Sequence, residues 1–278
     1  MPCPLWGCGG RGVRNDIQYM RSIMEYKTIE CSTPEQGIMV LSLNRPEVYN
    51  SVNHLMMEEL EHFWRERLYD LETRVVVLKG NGEKGFCAGL DMKETAEMSG
   101  KFNVEELYRF QARLARINLH MRRAPQPIIT AVHGAAAGQG FSFVLASDIR
   151  VISPDSKFCA AYINIGLGGA DMSCSYFLPR MIGAGRAYEF MYTGRFMTSE
   201  EAMNLGLASK LAEKDKLYES AMEYAKIMMT KNHMALRLTK EAINMNLDAC
   251  GMEQALNMED RNQTLLAMGA ALKMNKVK

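Results

Sequence analysis

Apolar residues recur along this chain in two rhythms. Arg74–Lys79 (RVVVLK) and Ile128–Val132 (IITAV) are short, continuous and rich in β-branched residues, which predicts strands buried on both faces. Ile149–Ser153 predicts a third such strand. Tyr26–Cys31 and Gly37–Leu43 predict two more, with Pro34 marking a turn between them. The second rhythm is helical. Leu55, Met56, Leu60, Phe63, Trp64 and Leu68 fall on one helix face, and Asn53 stands where a cap is needed. Val104–Met121 predicts a second helix, ended by Pro125 and Pro127, and a third runs up to Ala146. Alternating strands and helices predict an α/β protein. Past about residue 212 the strand signal stops, and Leu217–Met229, Met234–Leu247 and Met252–Met268 all have helical spacing. The chain thus divides into an N-terminal extension (1–25), an α/β core (26–212) and a helical C-terminal region (213–278).

Charge and cysteine usage narrow the picture. With 33 basic and 32 acidic residues the net charge is +1, which argues against a nucleic-acid partner, although Arg113, Arg116, Arg122 and Arg123 cluster along one helix. The seven cysteines are scattered, with no C-x-x-C pair, so neither a disulfide scaffold nor a bound metal is expected. No run approaches the ~20 apolar residues of a membrane span. The first 25 residues carry Arg11, Arg14 and Arg21 with one early acid, Asp16. They read equally as a disordered extension or as a targeting segment, so mitochondrial and cytoplasmic addresses both stay open. The 23 methionines suit adaptable packing and interfaces.

The candidate chemistry lies in two turns of small residues. One is Gly85-Phe86-Cys87-Ala88-Gly89-Leu90-Asp91-Met92 and the other is His133-Gly134-Ala135-Ala136-Ala137-Gly138-Gln139-Gly140. Each follows a buried strand and leads into a helix, where first-turn N–H groups lack intrahelical partners. Two such turns face to face would aim two N–H donors at one oxygen; the plainer alternative is tight packing of strand on helix. Other glycine motifs fail on their own terms. Gly80–Gly85 lacks the Lys-Ser/Thr ending of a phosphate loop. Gly138-Gln139-Gly140 lacks the third glycine of a dinucleotide fingerprint, and Ser142 has no glycine two residues on, as a nucleophile elbow requires.

Four segments together resemble the crotonase (enoyl-CoA hydratase/isomerase) family. They are Leu43-Asn44-Arg45-Pro46-Glu47-Val48-Tyr49-Asn50-Ser51-Val52, the two turns, and Ala146-Ser147-Asp148-Ile149-Arg150, in the family's order and spacing. The resemblance implies a spiral of ββα turns followed by C-terminal helices that assemble homotrimers, often stacked as hexamers. It implies acyl-CoA substrates, with coenzyme A carried on the substrate and no separate cofactor, and a place in fatty acid metabolism. By position it makes the peptide N–H groups of Leu90 and Gln139 the oxyanion donors. Backbone around Val48, Ala88, Asp91 and Met92 would line the path of the CoA.

One departure changes the expected reaction. The positions that match the glutamates of the family's hydratases hold Ser142 and Tyr162, and neither is a carboxylate. Asp171, in the stretch Ile165–Tyr176, is similar in place to the nucleophilic aspartate of the 4-chlorobenzoyl-CoA dehalogenases and to a proton-moving acid of the dienoyl-CoA isomerases. It is therefore the expected reactive carboxylate; its alternative role is an N-cap for the helix that follows. Tyr162 and Ser142 would wall the acyl pocket. The expected activity is isomerisation of an enoyl- or dienoyl-CoA. Hydration of a 2-enoyl-CoA by other groups, and a non-catalytic paralogue that binds acyl-CoA or RNA, are the alternatives.

Overall fold

The computed structural model describes residues 24–275, so the expectations for residues 1–23 lie outside the described residues. In chain order the strands are β1 (Ile29–Glu35), β2 (Ile38–Leu43), β3 (Val75–Gly80), β4 (Ile128–Val132), β5 (Ala135–Ala137), β6 (Ile149–Ile152), β7 (Lys157–Cys159), β8 (Met197–Thr198) and β9 (Lys210–Leu211). The helices are α1 (His54–Arg67), α2 (Met92–Ser99), α3 (Val104–Arg123), α4 (Gln139–Ala146), α5 (Cys174–Ile182), α6 (Ala184–Thr193), α7 (Ser199–Asn204), α8 (Leu217–Met229), α9 (His233–Asn246) and α10 (Met252–Asn275).

The main sheet runs β1-β2-β3-β4-β6-β9, parallel except for the β1–β2 hairpin, and a small sheet runs β5-β7-β8. Each turn of chain gives one strand to each sheet before a helix: β4 then β5 then α4, and β6 then β7 then the α5 region. This is the ββα spiral that the resemblance implies. The apolar runs of the main sheet are continuous because both faces are covered. Val40, Val75, Val77, Ile129, Ala131 and Val151 meet Leu217, Ala221, Met222 and Ala225 of α8. The alternate residues Leu41, Val76, Leu78, Ile128 and Ile152 join the larger core with α1, α3 and α4. Although it lies beyond residue 212, α8 thus closes one face of the sheet rather than standing apart from it.

Two local expectations move. β1 starts at Ile29 rather than Tyr26, because the Glu59 carboxylate of α1 accepts the N–H groups of Lys27, Thr28 and Ile29 and ends the ladder there. Pro34 lies inside β1; the reversal is made at Gln36-Gly37, where Gly37 has φ 84°. β1 is an edge strand, so a missing N–H there breaks no central ladder. Asn53 does cap α1, its Oδ1 accepting from the Met56 N–H at 2.9 Å. The short strands β5, β7, β8 and β9 had no periodicity to announce them.

Asp148 sits where α4 passes into β6. It accepts the Ile128 N–H at 2.8 Å and pairs with Arg122 at 3.0 Å and with the buried Lys240 of α9 at 2.7 Å. Lys240 also donates to the Met121 and Gln126 carbonyls, so α9 is riveted to the end of α3. The five described cysteines, Cys31, Cys87, Cys159, Cys174 and Cys250, are free thiols. Among the described residues no cluster of His, Cys, Asp or Glu could hold a metal, and no helix is long and apolar enough to cross a membrane.

Candidate active site

The two small-residue turns are joined directly to each other. The Phe86 N–H donates to the His133 carbonyl at 2.8 Å, the Cys87 N–H to Ala135 at 3.0 Å, and the Ala137 N–H returns to Cys87 at 2.9 Å. Phe86–Cys87 is in effect a further strand laid against β5. Small residues make this possible. A Cβ on Gly140 would lie 2.2 Å from the Cys87 carbonyl oxygen, and Gly138 enters α4 at φ 52°, which disfavours a side chain.

This zipper brings Leu90 and Gln139 to the ends of adjoining turns. Gln139 is the first residue of α4, and Leu90 follows Gly89, whose carbonyl accepts from Val52 at 2.7 Å. The peptide N–H groups of Leu90 and Gln139 have no hydrogen-bond partner among the described residues. Two unpaired donors in such a place can stabilise charge that develops on one oxygen.

The positions expected along the CoA path come from three places. Val48 ends a short 3₁₀ turn, Pro46–Val48, and is 36% exposed; Ala88 and Met92 are exposed. Asp91 is tied instead to Arg45, at 3.0 Å, and Arg45 also donates to the Ser51 carbonyl. The pair holds the Leu43–Val52 segment to the first turn. Burial pushes the Asp91 carboxyl up, but hydrogen bonds from Arg45 and the following backbone leave it below the usual range.

Ser142 and Tyr162 form a closed pair, Oγ to Oη at 2.9 Å, with Cys174 Sγ 3.8 Å from Ser142. Ser142 is fully buried and Tyr162 is 6% exposed. Burial holds the Tyr162 phenol well above its ordinary pKa and pushes the Cys174 thiol up to about 12, so both stay neutral. The Tyr162 ring edge lies against the second turn: a Cβ on Gly138 would be 3.8 Å from its Cε1.

Asp171 is half-buried, ahead of α5. It is not the cap of that helix: Ser173 holds the N-cap position, and Met172 and Ser173 are both left-handed, at φ 46° and 72°. The Asp171 Oδ1 instead accepts the Met172 N–H at 2.7 Å and the Gln111 amide of α3 at 2.6 Å. Burial raises its pKa above the ordinary carboxylate value, against the pull of those two donors.

Gln111, Asn118 and Arg45 were not singled out from sequence. Asn118, 1% exposed, donates to the Met172 carbonyl at 3.0 Å, and the Gln139 side-chain amide donates to Asn118 at 3.1 Å. The available signal was two amides inside the stripe of α3 that also carries Leu114, Ile117 and Met121. Arg45 gave none, since its partner lies on a distant loop.

A model of the enoyl-CoA hydratase/isomerase family matches residues 33–275. A Mycobacterium leprae protein named a probable enoyl-CoA hydratase is 36% identical over 251 residues, covering 89% of this chain and 84% of the relative. The 1,2-epoxyphenylacetyl-CoA isomerase of Escherichia coli K12 is 31% identical, covering 85% of this chain and 89% of the relative. The crystal structure of an enoyl-CoA hydratase from Bacillus anthracis superposes with a TM-score of 0.80 at 31% identity, covering 86% of this chain and 90% of that one. All three come from bacteria and lend no support to a mitochondrial address.

Proposed function

The chain belongs to the enoyl-CoA hydratase/isomerase family, and from that premise we propose that it shifts a double bond within an enoyl- or dienoyl-CoA, with Asp171 moving the proton. The thioester oxygen would sit between the peptide N–H groups of Leu90 and Gln139. The Asp171 carboxylate takes a proton from carbon and the electron pair passes into the conjugated enolate; the carboxyl proton exchanges with solvent, and a proton is returned to a carbon two bonds away in an enoyl-CoA or four in a dienoyl-CoA. Each aimed donor contributes ~2.7–4 kcal/mol to the enolate-like transition state. Coenzyme A arrives as part of the substrate, its path lined by backbone near Val48, Ala88, Asp91 and Met92.

The observation that carries the reading is the pair at the hydratase positions. Ser142 and Tyr162 spend their hydroxyls on one another in a buried pocket, held neutral, so no carboxylate pair activates water there. Asp171 is the acid close by, and its raised pKa moves it toward the range where one group both accepts and returns a proton. A relative named as an isomerase supports this reading, and the relative named as a hydratase supports hydration as the second one. We further propose a homotrimer or hexamer, since α9 and α10 expose Met234, Ile243, Met245, Met252, Leu265 and Met268.

The test is mass spectrometry of 2-enoyl-, 3-enoyl- and dienoyl-CoA thioesters incubated with the protein in D₂O. Deuterium uptake with a moved double bond is expected, and Asp171→Asn should lower its rate by roughly 10²–10⁴-fold. Net addition of water with Asp171→Asn fully active would favour hydration and remove Asp171 from the chemistry.

A further inference from the structure

The two oxygens of Asp171 are not equivalent. Oδ1 takes both hydrogen bonds, from the Met172 N–H and the Gln111 amide, and Oδ2 has no partner among the described residues. Gln111 comes from α3, on the stripe that carries Asn118 two turns later. Asn118 binds the Met172 carbonyl and receives the Gln139 side chain. One helix therefore touches the loop bearing the carboxylate at two points and the second small-residue turn at a third. The loop needs such a hold, because Met172 and Ser173 are both left-handed, a conformation that costs a non-glycine residue about 1 kcal/mol or more.

Resting on the proposed role of Asp171, we propose that Gln111 is a positioning residue: its amide clamps Oδ1, fixes the rotamer of the carboxylate and leaves Oδ2 as the oxygen that exchanges protons with the acyl group. Gln111 suits this task chemically. Its side chain offers an uncharged donor, which orients a carboxylate without locking it into an ion pair that would hold its pKa far below the working pH. Among the described residues the titratable groups facing Asp171 are Tyr162 and Cys174, and burial holds both neutral, so none of them brings a charge that competes with the clamp.

The experiment is a titration of the full chain labelled with ¹³C at the aspartate carboxyl, in wild type, Gln111→Met, Gln111→Glu and Asp171→Asn. Asp171→Asn identifies the signal by removing it. Gln111→Met keeps the length and deletes the donor, so the Asp171 signal should titrate about one pH unit higher. Gln111→Glu adds a like charge and should move it further in the same direction, giving a second reading if the Met variant folds poorly. The rate of deuterium uptake into the acyl group should follow the titration. Its acid limb moves up with the signal, and above both pKa values kcat falls about tenfold with KM unchanged. An Asp171 signal that titrates as in wild type in both Gln111 variants, with unchanged kcat, overturns the clamp. Unchanged deuterium uptake in Asp171→Asn overturns instead the role of Asp171 on which it rests.

Discussion

Tyr162 and Asp171 present opposite cases at the level of single residues. Both are acids in principle, and burial raises both. For a phenol that moves the group out of reach of neutral pH; for a carboxyl it moves the group toward it. Tyr162→Phe removes a hydroxyl that meets the buried Ser142 and Cys174 side chains and should leave turnover within about threefold of wild type in a steady-state assay; a loss near 10²-fold would give the phenol a role in the chemistry. In the proposed role Asp171 is a base only when ionised, so activity should fall as pH drops through a pKa above the ordinary ~4 of aspartate, measured as the acid limb of kcat/KM. The sign for stability is the reverse of that for activity. A carboxyl whose folded pKa is raised favours the fold while protonated, and that contribution is lost as pH rises through the folded value. Sequence alone marked Asp171 as an acid in a glycine-rich loop but left cap and reactive group equally open. The structure removes the cap, since Ser173 holds that position and Oδ1 is bound by Met172 and Gln111, and Gln111 lies too far along the chain for any local pattern to announce it.

Among elements, the joined turns and α3 do most to build the site. Phe86–Cys87 against β5, and Gly140 against Cys87, leave no room for a methyl group. Gly140→Ala would place a Cβ 2.2 Å from a backbone oxygen that cannot swing aside. It should cost about 3 kcal/mol in a denaturant melt and separate the two donors, so activity should fall more than stability alone explains. The same substitution at Gly185, where an added Cβ meets nothing within 4 Å, is the control and should change stability by less than about 1 kcal/mol. The turns themselves were legible as two small-residue stretches after buried strands. Their mutual pairing was not, because Ala135–Ala137 has no alternation to mark it as a strand.

For the molecule as a whole, the C-terminal region is divided between two roles. α8 fills the second face of the main sheet, whereas α9 is fastened by Lys240 to Asp148 and α10 packs mainly on α9. The apolar residues that α9 and α10 leave exposed predict self-association. Sedimentation velocity should give a trimer or hexamer at micromolar concentration, and replacing Met252, Leu265 and Met268 by Gln should shift the population toward smaller species. A monomer at every concentration would remove that reading.

Period, turn chemistry and small-residue motifs were enough to determine the α/β class, the buried strands, the cap at Asn53, the helical C-terminus and the two turns, because each is written in neighbouring residues. Tertiary structure alone decided which oxygen of Asp171 is held, that the Ser142 and Tyr162 hydroxyls meet in a buried hydrogen bond, and that Arg45 secures Asp91. Those outcomes depend on contacts between residues 20 to 60 positions apart. Over such separations only the packing of whole elements, and the burial it imposes, fixes which polar groups meet.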